Sequence, residues 1–399
     1  MMRSQPQWGT EKLGEIALFK TGKLDSNAAV SDGKYPFFTC SQETLRTNTF
    51  SFDTECVLLA GNNAAGIFPL KYFRGKFDAY QRTYVITPRN NDRLDVRFLY
   101  YALRPKLAEF RSISTGAATK FLTLGILNET LLQIPPLKTQ CRIAAILGAY
   151  DDLIEVNQRR IAMLEAMARG LFTEWFTRLR FPGHEDVAIE DTPNGPLPAG
   201  WMYDTLANVV AINAASLRPA SAPAEIGYID IASVSPGRID TINRMSFSDA
   251  PGRARRRVRD GSILWSNVRP NRRSFALVLD PTPDIVASTG FTVLDARETT
   301  FAYLYQWVTT DEFVGYLVGN AQGAAYPAVT AATFERAIVL LPPSNLVARY
   351  TAFAEPMLRL ADQLQKSNAN LAAARDLLLP RLISGQLSVT QAKQELEAA

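Results

Sequence analysis

The chain repeats itself at long range. Gly116-Ala117-Ala118 returns as Gly323-Ala324-Ala325, and Ile134-Pro135-Pro136 returns as Leu341-Pro342-Pro343, both 207 residues later. Upstream, Trp8 and Leu13 return as Trp201 and Leu206, 193 residues later, so the second copy is 14 residues longer in its variable part. A period of this length is not that of a solenoid, whose repeats are several-fold shorter. Each Pro-Pro opens a long helical stretch. The chain therefore reads as two similar modules, each a globular domain followed by one long helix, an arrangement suited to a ligand that is itself repeated or two-sided.

Composition bounds the class. Among 399 residues, 47% hydrophobic and 21% charged are proportions of a folded chain rather than a disordered one. No apolar run reaches the length of a membrane span. The segment Met1 to Trp8 is polar and lacks the apolar stretch of a signal peptide, so a cytoplasmic location is expected. Cys40, Cys56 and Cys141 are odd in number and lack metal spacing, and they read as buried free thiols. The net charge of +4 permits a polyanionic partner without requiring one.

The fold class expected is mixed α/β. Residues 1–136 form the first globular domain, with strands at Cys56–Ala60 (turning at Gly61-Asn62-Asn63) and Thr83–Thr87, stopped by Pro88. A short helix over Val96–Leu107 presents Phe98, Leu99, Tyr101 and Ala102 as its apolar face. Residues 137–177 form the first long helix. One heptad stripe runs Ile143, Tyr150, Asn157, Leu164, Leu171, and the other Leu147, Ile154, Ile161, Ala168, Trp175. Two readings of Asn157 stand, a register-setting buried amide or a solvent-facing side chain. Residues 178–200 form a linker, where Pro182-Gly183 and Thr192-Pro193-Asn194-Gly195-Pro196 predict no regular element. It holds the only histidine, His184, without the positioned partners acid–base work needs.

Residues 201–342 form the second globular domain, with strands at Ser262–Trp265, Phe275–Leu279 and Phe291–Leu294 and a helix over Phe301–Val318. Residues 343–385 form the second long helix, with Ser344 or Asn345 as N-cap and the stripe Tyr350, Met357, Leu364, Leu371, Leu378. Its partner stripe is interrupted by Asn368 and Arg375, and Pro356 predicts a kink or a delayed start. Residues 386–399 form a polar tail expected to fray. Helices of about forty residues are about 60 Å long. Pairing antiparallel through Leu147, Ile154, Asn157, Ile161, Leu164, Leu171, Met357, Leu364, Leu371 and Leu378, they would form a coiled-coil spacer with pseudo-two-fold symmetry. Such a spacer holds two domains apart on the scale of a DNA turn, about 34–36 Å.

Signatures of catalysis are missing from the sequence. No phosphate-binding G-x-x-x-x-G-K-[ST] or G-x-G-x-x-G occurs, and neither Pro-Pro is preceded by Asn as an amino-methylating enzyme would require. The positive signal is basic, amide-rich segments read as loops. In the second domain these are Arg253, Arg255, Arg256, Arg257 and Arg259, then Ser266, Asn267, Arg269, Asn271, Arg272 and Arg273. Arginine neutralises phosphates and reads guanine; asparagine and glutamine read adenine. A solvated charged face is the competing reading. The first domain offers Asn62, Asn63, Lys71, Arg74, Lys76, Tyr80, Gln81 and Arg82, with Tyr72, Phe73 and Phe77 read as core. Lys120 and Tyr326 follow the repeated Gly-Ala-Ala, a turn that either lets backbone approach a phosphate or is merely tight.

Together these residues resemble the specificity subunits of type I restriction-modification systems. The resemblance rests on Gly61-Asn62-Asn63, Gly75 through Ile86, Ile143 through Asn157, Leu197-Pro198-Ala199-Gly200-Trp201, Gly261 through Trp265 and Ala287 through Phe291, in order along almost the whole chain. It implies two target recognition domains, each reading one half of a split sequence in double-stranded DNA. It implies helices that set the gap and dock two methyltransferase subunits. The cofactor, S-adenosylmethionine, would sit on those partners, none on this chain, and endonuclease/translocase subunits would join to cut. The chain would be non-catalytic. Two alternatives stay open: the same role beside a fused methyltransferase-nuclease, and a scaffold that spaces two protein-binding modules.

Overall fold

The computed structural model describes residues 8–64, 66–116, 118–193 and 195–397. The chain divides into two units, one comprising Met1–Val156 with Ser367–Ala399 and the other Asn157–Lys366. The first long helix runs Leu137–Phe172 and continues as a π-helical turn through Thr177; the second runs Ser344–Ile383. Each unit therefore takes one half of each long helix, so the domain-then-helix division of the sequence cuts the molecule differently from its packing.

In the first unit a six-stranded sheet runs in the order Ala17–Thr21, Thr83–Pro88, Phe52–Ala60, Leu70–Ala79, Tyr35–Phe38, Leu45–Thr47. Its central strand is apolar on consecutive residues because both faces are covered. Val57 and Leu59 join the main core with Phe98, Leu99 and Tyr101; Cys56 and Leu58 join a smaller cluster with Phe38, Phe77 and Val85. Ile143 and Leu147 from the first long helix, and Leu378 and Leu382 from the second, complete the main core. The second unit has two four-stranded sheets. One is Val210–Ile212, Phe291–Ala296, Ser262–Ser266, Phe275–Val278; the other is Asn243–Ser246, Glu225–Ile229, Ile285–Ser288, Ala254–Arg257.

The sequence repeat is a backbone repeat. Gly9–Lys12 pairs antiparallel with Leu131–Ile134, and Met202–Thr205 with Ile338–Leu341, so Gly9 faces Ile134 as Met202 faces Leu341. Leu13 N–H donates to Thr130 O, and Leu206 N–H to Ala337 O, both at 2.8 Å. Each Pro-Pro ends its strand because proline cannot donate to a ladder. The second proline's carbonyl then accepts the first helical bonds, from Thr139 and Gln140 to Pro136 and from Leu346 and Val347 to Pro343.

The long helices hold their predicted residues away from solvent. Leu147, Asn157 and Leu378 are buried, and Ile154, Ile161, Leu164, Leu171, Met357, Leu364 and Leu371 half-buried. Asn157 is 3% exposed, so it is the buried amide of the two readings. Arg375 does not weaken its stripe as expected, since its guanidinium is held by Asp151 and Asp376. In the second unit the Tyr350 hydroxyl donates to Ala168 O at 3.1 Å, amid Phe172, Trp175 and Phe176.

Several local expectations are corrected. Asn62–Asn63 is a strand, not a turn, and Thr83–Pro88 includes its proline as Ala17's partner. The helix at Val96 ends at Leu103, a second follows over Lys106–Ile113 after Pro105, and the stretch from Phe301 likewise divides into Phe301–Trp307 and Asp311–Gly319. The linker is ordered: Ile189–Thr192 pairs with Gly195–Pro198, since prolines fit a two-stranded edge, though Asn194 lies outside the described residues. Pro356 neither delays nor ends the second long helix, its fixed φ being compatible with helix and its ring lying on the exposed face. The tail forms a helix over Val389–Glu397. Ser388 and Gln391 cap it reciprocally, and Leu387 and Ala392 are buried. The tail's last residues, 398–399, and the polar start, 1–7, lie outside the described residues.

Candidate nucleic-acid interface

Both units build the same small ladder of backbone at one end of a sheet. In the first, the strand Phe52–Ala60 leaves the sheet at Gly61, whose N–H donates to Arg82 O at 2.7 Å. A Cβ there would lie 2.6 Å from that oxygen, so only glycine fits. Asn62 then pairs with Phe121 and Asn63 with Lys120, Leu122 N–H donates to Gly61 O at 2.8 Å, and Thr115 bridges Phe121. In the second, Ser262–Ser266 leaves its sheet at Asn267. Val268 pairs with Ala328, Arg269 N–H donates to Pro327 O at 2.7 Å, Val329 N–H donates to Asn267 O at 2.9 Å, and Gln322 bridges Ala328. Every rung of one ladder has its counterpart in the other. The repeated glycines make the turn that brings the segments together, with φ of 103° at Gly116 and 102° at Gly323, a region glycine alone enters freely. That accounts for the motif as a tight turn; Ala117 lies outside the described residues.

Cations and rings crown the ladders. In the first unit the exposed Arg82 guanidinium lies 5.6 Å from the Phe121 ring centroid. The stems of Lys120 and Arg111 flank Gly66, 3.3 and 3.4 Å from where a Cβ would stand. Arg111 was not foreseen, because it belongs to the helix Lys106–Ile113 and only the fold brings it beside the loop. Asn62 Oδ1 accepts the Cys40 thiol at 2.9 Å and Asn63 Oδ1 accepts Ile67 N–H at 3.3 Å. In the second unit Arg269 sits 4.6 Å from the centroid of Tyr326, which is 69% exposed. Asn271 and Arg272 are exposed on a 3-10 turn, Pro270–Arg272, bracketed by Arg269 and Arg273 with φ of 51° and 55°. Two non-glycine residues in the left-handed region hold this turn in a conformation the surrounding structure must enforce.

Other predicted residues are placed elsewhere or are committed. Ser266 is fully buried and donates to Val268 O, so it cannot face a groove. Asn267 Oδ1 is occupied by the Thr292 hydroxyl at 2.7 Å, and Arg273 by Asp311. Lys71 lies on the strand Leu70–Ala79 rather than a loop and donates to Glu43 O at 2.9 Å and Thr44 Oγ1 at 3.2 Å. Burial lowers its pKa below the ordinary lysine value. Arg74 and Lys76 are exposed on the same strand, Arg74 beside Asp53 and Glu55 and Lys76 over Phe50. Tyr80 is half-buried, and Gln81 donates to Asp25 at 2.6 Å. Of the rings read as core, Phe77 is buried and Tyr72 and Phe73 half-buried.

The arginine run is a strand, Ala254–Arg257, with a bulge between Ala254 and Arg256, so its side chains do not share one face. Arg253 pairs with Asp230 at 2.9 Å and donates to the Tyr228 hydroxyl. Arg255 lies over Phe247 and donates to Ala254 O. Arg256 is half-buried, its Nε enclosed without a partner and its pKa lowered by burial. Arg257 is exposed, and Arg259 pairs with Asp295 at 3.2 Å. The two basic segments read as loops are thus two different places, a partly neutralised edge strand and a crowned ladder.

Residues 6–166 match the family described as type I restriction modification DNA specificity domain. The chain is 27% identical over 413 residues to the type I restriction enzyme EcoDI specificity subunit of Escherichia coli, covering 96% of this chain and 89% of that protein. It is 22% identical to the type I restriction enzyme MjaIX specificity subunit of Methanocaldococcus jannaschii, over 74% of this chain and 69% of that one. Its fold matches the crystal structure of a type I restriction-modification system S subunit from M. genitalium with a TM-score of 0.66 at 15% identity, over 96% of this chain and 98% of that chain. Residues 6–166 thus match a type I restriction modification DNA specificity domain, and over nearly its whole length the chain is similar to a type I restriction enzyme specificity subunit.

Proposed function

We propose that this chain selects the DNA target of a type I restriction-modification complex, each unit reading one half of a bipartite sequence. The observation that carries the reading is the duplicated ladder. The same main-chain scaffold occurs once per unit and carries a different set of side chains each time: exposed Arg82 with half-buried Lys120 and Phe121 on one, half-buried Arg269 with exposed Tyr326, Asn271 and Arg272 on the other. Exposed guanidinium and amide groups neutralise phosphates and read base edges. The long helices then set the gap between half-sites as an antiparallel spacer. In its favour, Asp151 meets Arg375 and Ala168 meets Tyr350, the order an antiparallel pair requires.

Two methyltransferase subunits dock on the helices, where Met163 and Met167 of the first and Phe353 and Leu360 of the second leave apolar side chains exposed. Those partners bring S-adenosylmethionine, and endonuclease/translocase subunits complete the complex. This chain contributes recognition and no catalytic group. The setting is cytoplasmic; among the described residues no helix is long and apolar enough to cross a membrane.

Mapping methylated adenines in single DNA molecules from cells with and without this chain tests the reading. Its removal is expected to erase one motif made of two short blocks with a fixed gap. An unchanged methylome in cells that make the partner methyltransferase counts against it.

A further inference from the structure

We infer that Arg257, Arg259 and Arg297 form a phosphate-binding site separate from the ladder of the second unit. The three guanidinium-bearing residues line one open cavity of about 440 Å³ together with Ala211, Ala214 and Ala215. Asp295 is the one carboxylate among the lining residues. It is already engaged, accepting the Ser262 hydroxyl at 2.6 Å and pairing with Arg259 at 3.2 Å. Among the described residues no ion pair involves Arg257 or Arg297, and both are exposed. Three positive charges against one negative leave an excess of two in a concave, alanine-floored space, with room and donors for a tetrahedral oxyanion.

The backbone that shapes this cavity is fixed. Asn213, with φ of 53°, turns the chain off the edge strand Val210–Ile212. The next residues then border the arginine strand, Arg257 N–H donating to Ala215 O at 3.1 Å and Leu217 N–H to Arg255 O at 2.7 Å. Arg297 N–H donates to Val209 O at 3.0 Å, anchoring the opposite wall. Arg259 precedes the strand Ser262–Ser266 and Arg297 follows Phe291–Ala296, whereas the ladder lies at the other end of both strands. Five residues of strand span about 17 Å. Along the duplex axis each strand carries one phosphate per about 3.4 Å, so a separation of this length along the axis corresponds to roughly five base-pair steps. The ligand class is a phosphate: a backbone phosphodiester of duplex DNA, or a free phosphate or monoester. The duplex source rests on the proposed DNA reading; the free source does not.

The test compares the full chain with R257A/R297A, and with R257Q/R297Q should the alanine form fold poorly. Inorganic phosphate is titrated against chloride of equal ionic strength while the melting temperature is followed. Duplex binding is measured across a salt series. For a backbone site the slope of log K against log salt should fall by about 1.8, two contacts at about 0.9 each, with discrimination between target and non-target duplex unchanged. For a free phosphate, inorganic phosphate should raise the wild-type melting temperature and leave the variant's unmoved, at an unchanged slope. Either result supports the site and names its source. Identical behaviour of wild type and variant in both arms overturns it. Should the wild type bind no duplex, the DNA reading fails and the phosphate titration alone decides the site.

Discussion

Replacing Arg269 by alanine and, separately, by glycine distinguishes what this residue does for the fold from what it does for a ligand. Its backbone sits at φ 51°, its N–H donates to Pro327 O, and its guanidinium rests 4.6 Å from the Tyr326 ring centroid. Alanine keeps the left-handed backbone and loses the stack, which at an exposed site is worth about 0.5–1 kcal/mol. Glycine loses the same stack and also relieves backbone strain of about 1–2 kcal/mol, offset by about 0.5–1 kcal/mol of extra chain entropy in the unfolded state. R269G is therefore expected to be more stable than R269A by about 0.5–1 kcal/mol, measurable as a shifted denaturant midpoint at unchanged m value. Duplex affinity should not follow that order. Both variants lose the guanidinium, and both should bind target DNA about 5- to 150-fold more weakly, the equivalent of about 1–3 kcal/mol for a base contact. If Arg269 reads a base, one position of the methylated motif relaxes; if it holds a phosphate, all targets weaken equally and the salt slope drops by about 0.9. Wild-type affinity in both variants, or affinity that tracks stability, would refute the assignment of the ladder as the reading surface.

Other perturbations follow from the packing. Gly61→Ala places a methyl group 2.6 Å from Arg82 O, and overpacking of this kind costs about 1–3 kcal/mol; a thermal melt should show it, and a variant as stable as wild type would mean the ladder relaxes freely. Leu147→Ala, at a fully buried position of the first long helix, should cost about 2–5 kcal/mol in denaturant unfolding. Asp260 has its pKa lowered, chiefly by the side-chain hydrogen bond from Arg359. A depressed carboxylate pKa gives stability that is present above the unfolded value, about 3.9, and is lost as pH falls through the lower folded value. Wild type should thus lose more stability than D260N over that acid range, and parallel curves would contradict the assignment. Deleting residues 386–399 removes buried Leu387 and Ala392 and should lower the melting temperature, whereas loss of a frayed tail would leave it unchanged.

The parts legible in the sequence are those where pattern and packing coincide. The heptads of the long helices, the Pro-Pro punctuation and the runs Cys56–Ala60, Ser262–Trp265 and Phe291–Leu294 each bury an apolar set in the element that their period dictates. Leu70–Ala79 is hidden because Lys71, Arg74 and Lys76 interrupt its apolar residues, although Phe73 packs against Phe38 and the Lys71 and Lys76 ammonium groups lie over the Phe38 and Phe50 rings. The tail's helix is obscured because Ser388 and Gln391 look merely polar, yet at that spacing they cap a helix. The candidate site is legible as a composition and not as a surface. Arg253, Arg259 and Arg273 are answered by Asp230, Asp295 and Asp311, carboxylates 23 to 38 residues away in the chain that only the fold brings near. Arg111 escaped notice for the same reason in reverse.

The rungs of the two ladders join main-chain atoms to main-chain atoms. Thr119, Lys120 and Phe121 on one therefore stand where Tyr326, Pro327 and Ala328 stand on the other without changing the bonds that hold the segment. Apart from the turn glycines, what these positions display is almost independent of what keeps them in place. A chain built this way can acquire a new preference by exchanging a few outward residues, with no debt to its core, and inheritance can revise what it selects while leaving how it folds untouched.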